Sequence, residues 1–412
     1  MFYNKQIVKK SNLVSQVSFL ILCMLVLAVS CKKEPIPAVP GIISGVLNFC
    51  PGETGVVYTI APVEGATYYL WTVPEDATIA SGQGTTSVTV NFGKASGQIC
   101  VKSTNDKEVS EASCLKVTQG GVSGVWCREM DFSPGIRTNA VGFSIGNKGY
   151  VGTGADMGNQ KYSDLWEFDP ELNVWVQKAD FPGGARFDAV GFSIGDKGYV
   201  GLGYNTVDYF KDFWEYNPQT NGWLKKADFV EEREFAFGFS ILNKGYVGSG
   251  RSGTFSFPQD FWEYNPQSDQ WTQKTAVVSR QGAVCFSIGN VGYLGLGSSP
   301  SGSAQKDFWQ YDPAQDLWTL KAELPGPPRY ASAGFAIGTK GYIVGGFDGN
   351  VNYKDFYEYD SETNTWLQLQ DFAGESRGYG VGFAIGTNGY IGIGSQGNSG
   401  GQNLNDFWVY GQ

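Results

Sequence analysis

Beyond residue 40 the chain is written in short runs in which apolar and polar residues alternate, the period of a half-buried strand. Gly55-Val56-Val57-Tyr58-Thr59-Ile60, Thr67-Tyr68-Tyr69-Leu70-Trp71-Thr72-Val73 and Ser87-Val88-Thr89-Val90-Asn91-Phe92 are three such runs, separated by clusters of Gly, Pro, Asp and Ser. At that density roughly seven strands fit between residues 41 and 118, which predicts a small β-sandwich. From 122 to 412 the same pattern becomes one unit written six times, with Trp126, Trp175, Trp223, Trp271, Trp318 and Trp366 recurring every 47 to 49 residues.

Between successive tryptophans the order of parts is constant. Each unit opens on an arginine: Arg137, Arg186, Arg233, Arg280, Arg329 and Arg377 in turn. An apolar run such as Ala189 to Ile194 follows, then a tight turn such as Gly195-Asp196-Lys197-Gly198, then a second run that ends in an unvarying glycine (Gly154, Gly203, Gly250, Gly297, Gly346, Gly394). A loop of variable length leads to Asp-Phe-Trp-Glu-Tyr, as at Asp212 to Tyr216, and a turn before the next Trp. That is four short strands per unit, with no helical period. The last unit stops at Tyr410 before its own Trp, so the strand around Trp126 is expected to complete it and leave no open sheet edge.

This repeat resembles the kelch motif, and the resemblance implies an all-β chain: a six-bladed kelch β-propeller preceded by a small β-sandwich. The kelch double glycine is complete only at Gly345-Gly346; elsewhere the first glycine is Thr153, Leu202, Ser249, Leu296 or Ile393. The phrases Cys50-Pro51-Gly52, Tyr69 to Pro74 and Val88 to Gly93 resemble the PKD-like (immunoglobulin-like) modules of bacterial surface proteins, which implies a spacer. Eleven of the twelve tryptophans fall at two repeat positions, where packing between blades is expected rather than a ligand platform.

The N-terminus reads as an address. Residues 1–30 combine Lys5, Lys9 and Lys10 with an apolar run from about Val17 to Val29, too short to span a bilayer, and end in Ala28-Val29-Ser30 before Cys31. This resembles a lipoprotein signal of the Bacteroidota type, with lipid on Cys31, a Lys/Glu/Pro tether over 31–40 and an exported chain at the outer membrane or cell surface. Of the other exported cysteines, Cys100 and Cys114 share the polar side of two neighbouring strands and form the expected disulfide; Cys50, Cys127 and Cys285 stay unassigned.

Composition then narrows the chemistry. Thirty Lys and Arg against forty Asp and Glu leave a net charge of −10, and removal of the leader leaves −13, which speaks against nucleic acid or an anionic membrane surface as partner. The chain has no His, so catalytic triads, His-ligated metals and the copper site of galactose oxidase, a kelch propeller, are all excluded. No metal and no cofactor is expected.

Candidate binding groups lie on the loop face, where the loop before the first strand meets the loop between the second and third. The six arginines could form an anion-binding ring. Tyr209, Phe210, Phe257 and Tyr353 could stack on sugar or peptide; Tyr162, Tyr204, Phe255 and Phe347 share those loops. Glu231 and Glu232 beside Arg233 could serve acid–base chemistry, and Asp348 could join them. The expected function is non-enzymatic recognition of a glycan or protein partner from the surface. The alternative is a metal-free carbohydrate-active enzyme of the sialic-acid mutarotase type, as found among kelch propellers; a third possibility is a structural partner in a surface complex.

Overall fold

Alternation at this period buries one face of each strand, and the computed structural model converts it into sheets throughout, with no helix among the described residues. Those residues are 36–105, 107–119, 124–254, 256–396 and 402–411. The leader, Cys31 and Phe255 lie outside them. Contacts divide the described residues into one unit of 36–46, 55–91 and 97–116 and another of 47–54, 92–96 and those from 117 to 411.

Two small sheets precede the repeats. One has the order Asn48–Phe49, Ser113–Gln119, Gly97–Thr104, Tyr68–Thr72; the other, Val56–Thr59, Ser87–Asn91, Thr78–Ser81. Their alternate residues Tyr58, Trp71, Val88, Val90, Ile99 and Val101 are buried. Cys100 is bonded to Cys114 across adjacent strands, and Cys50 to Cys127. Residues 47–54, which carry Cys50, cluster with the repeats. The tether is also shorter than expected: Pro37 and Pro40 are buried, and the Ser103 hydroxyl donates to the Ala38 carbonyl at 2.5 Å.

The repeats form six four-stranded antiparallel sheets. In the second, Val190–Ile194, Lys197–Gly201, Phe213–Asn217 and Gly222–Lys226 lie side by side in chain order. In the last, the fourth strand is Trp126–Arg128, paired Trp408 to Arg128 and Tyr410 to Trp126. The six first strands neighbour one another in a closed circle, Val381–Ile385 against Val141–Ile145 included. They approach so closely that a Cβ on Gly191 would lie 2.6 Å from the Val141 Cβ. Cys285 takes that position in the fourth sheet, its thiol 3.2 Å from the Gly238 carbonyl and pushed up to about 12 by desolvation, which leaves it unreactive.

Aromatic rings bind sheet to sheet. The third-strand Phe packs on the fourth-strand Trp of the next sheet: Phe213 on Trp271 at 5.1 Å, and Phe261 on Trp318, Phe308 on Trp366, Phe356 on Trp126 and Phe407 on Trp175 at 5.0 Å. Each such contact is worth about 1 kcal/mol beyond its buried area. Trp175, Trp223, Trp271, Trp318 and Trp366 also donate an indole N–H to a carbonyl of the preceding sheet's chain, as from Trp223 to Ala179 at 2.9 Å.

The kelch doublet has a backbone explanation. Both of its residues are left-handed: the first at φ 50–63°, the second at 85–105°. An L-residue tolerates the first value at a cost of about 1–2 kcal/mol, so Thr, Leu, Ser and Ile survive there. The second value suits only glycine. A Cβ on Gly203 would also sit 2.7 Å from the Phe187 carbonyl oxygen. Gly203→Ala should therefore destabilise the ring by roughly 2–5 kcal/mol in urea melts. Thr153→Gly should stabilise it by up to about 1 kcal/mol, because Thr153 is left-handed at φ 58° and its buried hydroxyl has no partner. Equal effects of the two substitutions would contradict this account.

Candidate functional site

The repeated arginine starts each blade, and each is at most 8% exposed. A guanidinium stripped of water needs a partner for its charge, and the sequence supplies one: the Asp of Asp-Phe-Trp. Arg186 donates to both carboxylate oxygens of Asp212, at 2.5 and 3.2 Å, and to the Leu202 carbonyl at 2.9 Å. Arg137 with Asp164, Arg233 with Asp260, Arg280 with Asp307, Arg329 with Asp355 and Arg377 with Asp406 repeat the pair. The same Asp accepts the third-strand indole N–H, as Asp212 does from Trp214 at 2.8 Å.

These pairs replace the expected anion-binding ring, because each guanidinium charge is already matched by an internal carboxylate. They also absorb two expected ligand platforms. Phe210 lies over Arg186 at 3.8 Å and Tyr353 over Arg329 at 4.1 Å, and Tyr162 covers Arg137 at 4.0 Å, so these rings roof the ion pairs.

The remaining candidates scatter. Tyr209 lies tilted against Tyr204 at 4.4 Å, and Phe257 is half-buried with its carbonyl accepting from Ser279. Asp348 holds a turn through the Asn350 and Val351 amides and receives the Tyr353 hydroxyl at 2.5 Å, which lowers its pKa. Glu231 caps Arg233 at 3.3 Å, and Glu232 is half-buried beside Gly253. No acid–base pair is assembled from Glu231, Glu232 and Asp348.

The structure instead gathers a site two residues beyond each arginine. Asn139, Asp188, Phe235, Gly282, Ala331 and Tyr379 are all left-handed, at φ 53–59°. Each amide donates to the carbonyl of its counterpart in the preceding blade, at 2.7–3.4 Å, and the Asn139 amide donates to Tyr379, so six backbone hydrogen bonds close a ring on the axis. Because main chain makes the ring, the side chains are free to vary, and they do.

Phe235 and Tyr379, from opposite blades, meet across the axis at 6.4 Å, and Tyr330 lies 6.2 Å from Tyr379. Glycine and alanine at the fourth and fifth places leave room. There a cavity of about 290 Å³ is lined by Phe235, Gln281, Gly282, Ser298, Gly302, Tyr330 and Tyr379. A second, of about 150 Å³, adjoins it through Phe235, Gly282 and Tyr379 and reaches Asn139 and Asp188.

Asp188 is 7% exposed. Its Oδ1 accepts from Asn139, while its Oδ2 has no partner. Burial holds its carboxyl well above the usual carboxylate range; the Asn139 hydrogen bond opposes the shift and the nearby Glu234 charge adds to it. Glu234, also buried, is paired with Arg251 at 2.7 Å through a two-residue ribbon peculiar to the third blade. The signal for this site was present in the sequence as the variable position two residues after an unvarying Arg.

With the geometry in place, comparisons bear on the fold. Residues 36–117 match the model of a PKD-like domain and residues 328–372 that of the Kelch motif. The repeats build a kelch-type β-propeller. The solved structure of YjhT is similar at a TM-score of 0.59 and 18% identity, over 68% of this chain and 96% of that one, a likeness of fold alone. No curated protein matches the chain.

The clasp makes a prediction of its own. Arg186→Leu and Asp212→Asn each strand one buried partner and should cost about 3–5 kcal/mol, whereas Arg186→Leu combined with Asp212→Leu should recover part of that loss in a double-mutant cycle of urea melts. Additive losses would mean the pair is not coupled.

Proposed function

We propose that the chain is an exported recognition protein, anchored through lipid on Cys31, that binds a glycan in the axial mouth of its propeller. The observation that carries this reading is the cavity of about 290 Å³ at the axis, walled by Phe235, Tyr330 and Tyr379 and edged by Gln281 and Ser298. Aromatic faces stack on the C–H side of a sugar ring, and amide and hydroxyl groups at the edge meet its hydroxyls. The PKD-like module would serve as a spacer between lipid and propeller, and the lipid is the only membrane attachment proposed.

A second reading has one observation in its favour. Asp188, a carboxyl whose hold on a proton burial strengthens beside the cavity, is the kind of group that donates a proton to a ring oxygen, as a mutarotase-type enzyme requires. In that reading Asp188 takes the role that the sequence suggested for Glu231 and Glu232.

Glycan-array binding should fall at least about tenfold in Tyr379→Ala, which removes one wall of the mouth. If array binding is absent in the parent, the glycan reading fails and a protein partner replaces it. NMR of anomer exchange should show only the uncatalysed rate; exchange abolished by Asp188→Asn would establish the enzyme instead. Labelled palmitate should enter the parent and not Cys31→Ser, and a parent that takes up no label would refute the anchor.

A further inference from the structure

The charge around the mouth selects the ligand, and this inference rests on the glycan reading above. Neither axial cavity is lined by Lys or Arg among the described residues, because the arginine of every blade is turned inward onto its Asp. An acidic sugar would meet no free cation there. It would also meet the unpartnered Asp188 oxygen, in a chain of net charge −10. The lining offers an acidic group no partner.

The same groups form a site for the opposite charge. Asp188 lines the inner cavity and presents an oxygen that no protein donor satisfies, at a residue 7% exposed. Phe235 and Tyr379, from opposite blades, line that cavity too, and an aromatic face carries the negative side of the ring quadrupole. A carboxyl group that shares a cavity with two aromatic rings suits a cation. The unmatched oxygen further requires a donor, which a quaternary ammonium lacks and a primary ammonium supplies.

We propose that the axial mouth recognises an amino sugar: the ring in the outer cavity against Tyr330 and Tyr379, and the ammonium in the inner cavity on Asp188. The cation offsets the desolvation that burial imposes on the carboxylate. Asn139 fixes the other oxygen, so the carboxyl is held in position before the ligand arrives. The groups facing Asp188 are Asn139, Glu234, Arg251 and Tyr379, and only Arg251, itself paired with Glu234, competes for it.

The test uses the full exported chain and four methyl glycosides of one ring: glucosamine, glucose, N-acetylglucosamine and glucuronic acid, titrated by calorimetry. Glucosamine should bind about tenfold or more tighter than each of the others. Asp188→Asn, which keeps the Asn139 hydrogen bond and suits a left-handed backbone, should bring glucosamine down to the level of glucose without lowering Tm. Tyr379→Phe should keep the preference, because the ring face remains. Glucose or N-acetylglucosamine binding as tightly as glucosamine would overturn the amino-sugar inference and leave the glycan reading intact, and a preference for glucuronic acid would do the same. Binding of lysine amide in place of any sugar would transfer the site to a peptide ligand and overturn both. No binding by any of the four, together with an empty glycan array, would remove both as well.

Discussion

A buried guanidinium is tolerable only if its charge is matched, and that requirement organises the propeller. In each blade one arginine draws three separate pieces of chain together: its own segment before the first strand, the carbonyl at the end of the second, and the Asp that starts the third. Its backbone carbonyl then accepts the amide of the unvarying glycine in the preceding blade, as Arg233 accepts from Gly203 and Arg137 from Gly394. Ion pair, strand end and blade-to-blade link are therefore one device. The left-handed doublet, the third-strand Trp on the same Asp and the aromatic roof over the guanidinium are its fittings.

Much of this was legible in the chain. The spacing of Trp126 to Trp366, the order of parts and the missing last Trp are enough to derive the sheets, and the Phe–Trp contacts between neighbouring sheets are what one bulky ring per repeat must do. The site was harder to read. Arg and Asp lie about 27 residues apart in sequence, as in Arg137 and Asp164, and period analysis aligns like with like; it does not pair unlike positions within one unit. The arginines consequently read as an outward ring. Phe210 and Tyr353 looked like exposed loop aromatics because their target, a guanidinium, was taken to face solvent. Asp188 was invisible for a related reason: at a turn-like position an Asp reads as turn chemistry, and only the closure of the circle reveals that six such turns meet at one point.

Electrostatics joins the two halves of the account. A propeller that left its arginines free would present a basic mouth, suited to phosphate, sulfate or sugar acids. Pairing each with an aspartate neutralises the blades and hands the sign of the mouth to whatever stands on the inner ring. Here that is one carboxyl, one amide, two small residues and two aromatics.

The hydrogen-bonded ring at Asn139, Asp188, Phe235, Gly282, Ala331 and Tyr379 separates support from selectivity. Its geometry belongs to the backbone, so its side chains behave as interchangeable teeth on a fixed wheel, and a new ligand preference is reachable by exchanging a few of them while every blade core stays as it was. The left-handed turn nonetheless taxes the exchange unevenly. Asn, Asp and Gly sit there at little expense, whereas phenyl and phenol rings are poorly suited to it. The two teeth that carry such rings despite the penalty are the ones whose retention most needs a reason outside the fold.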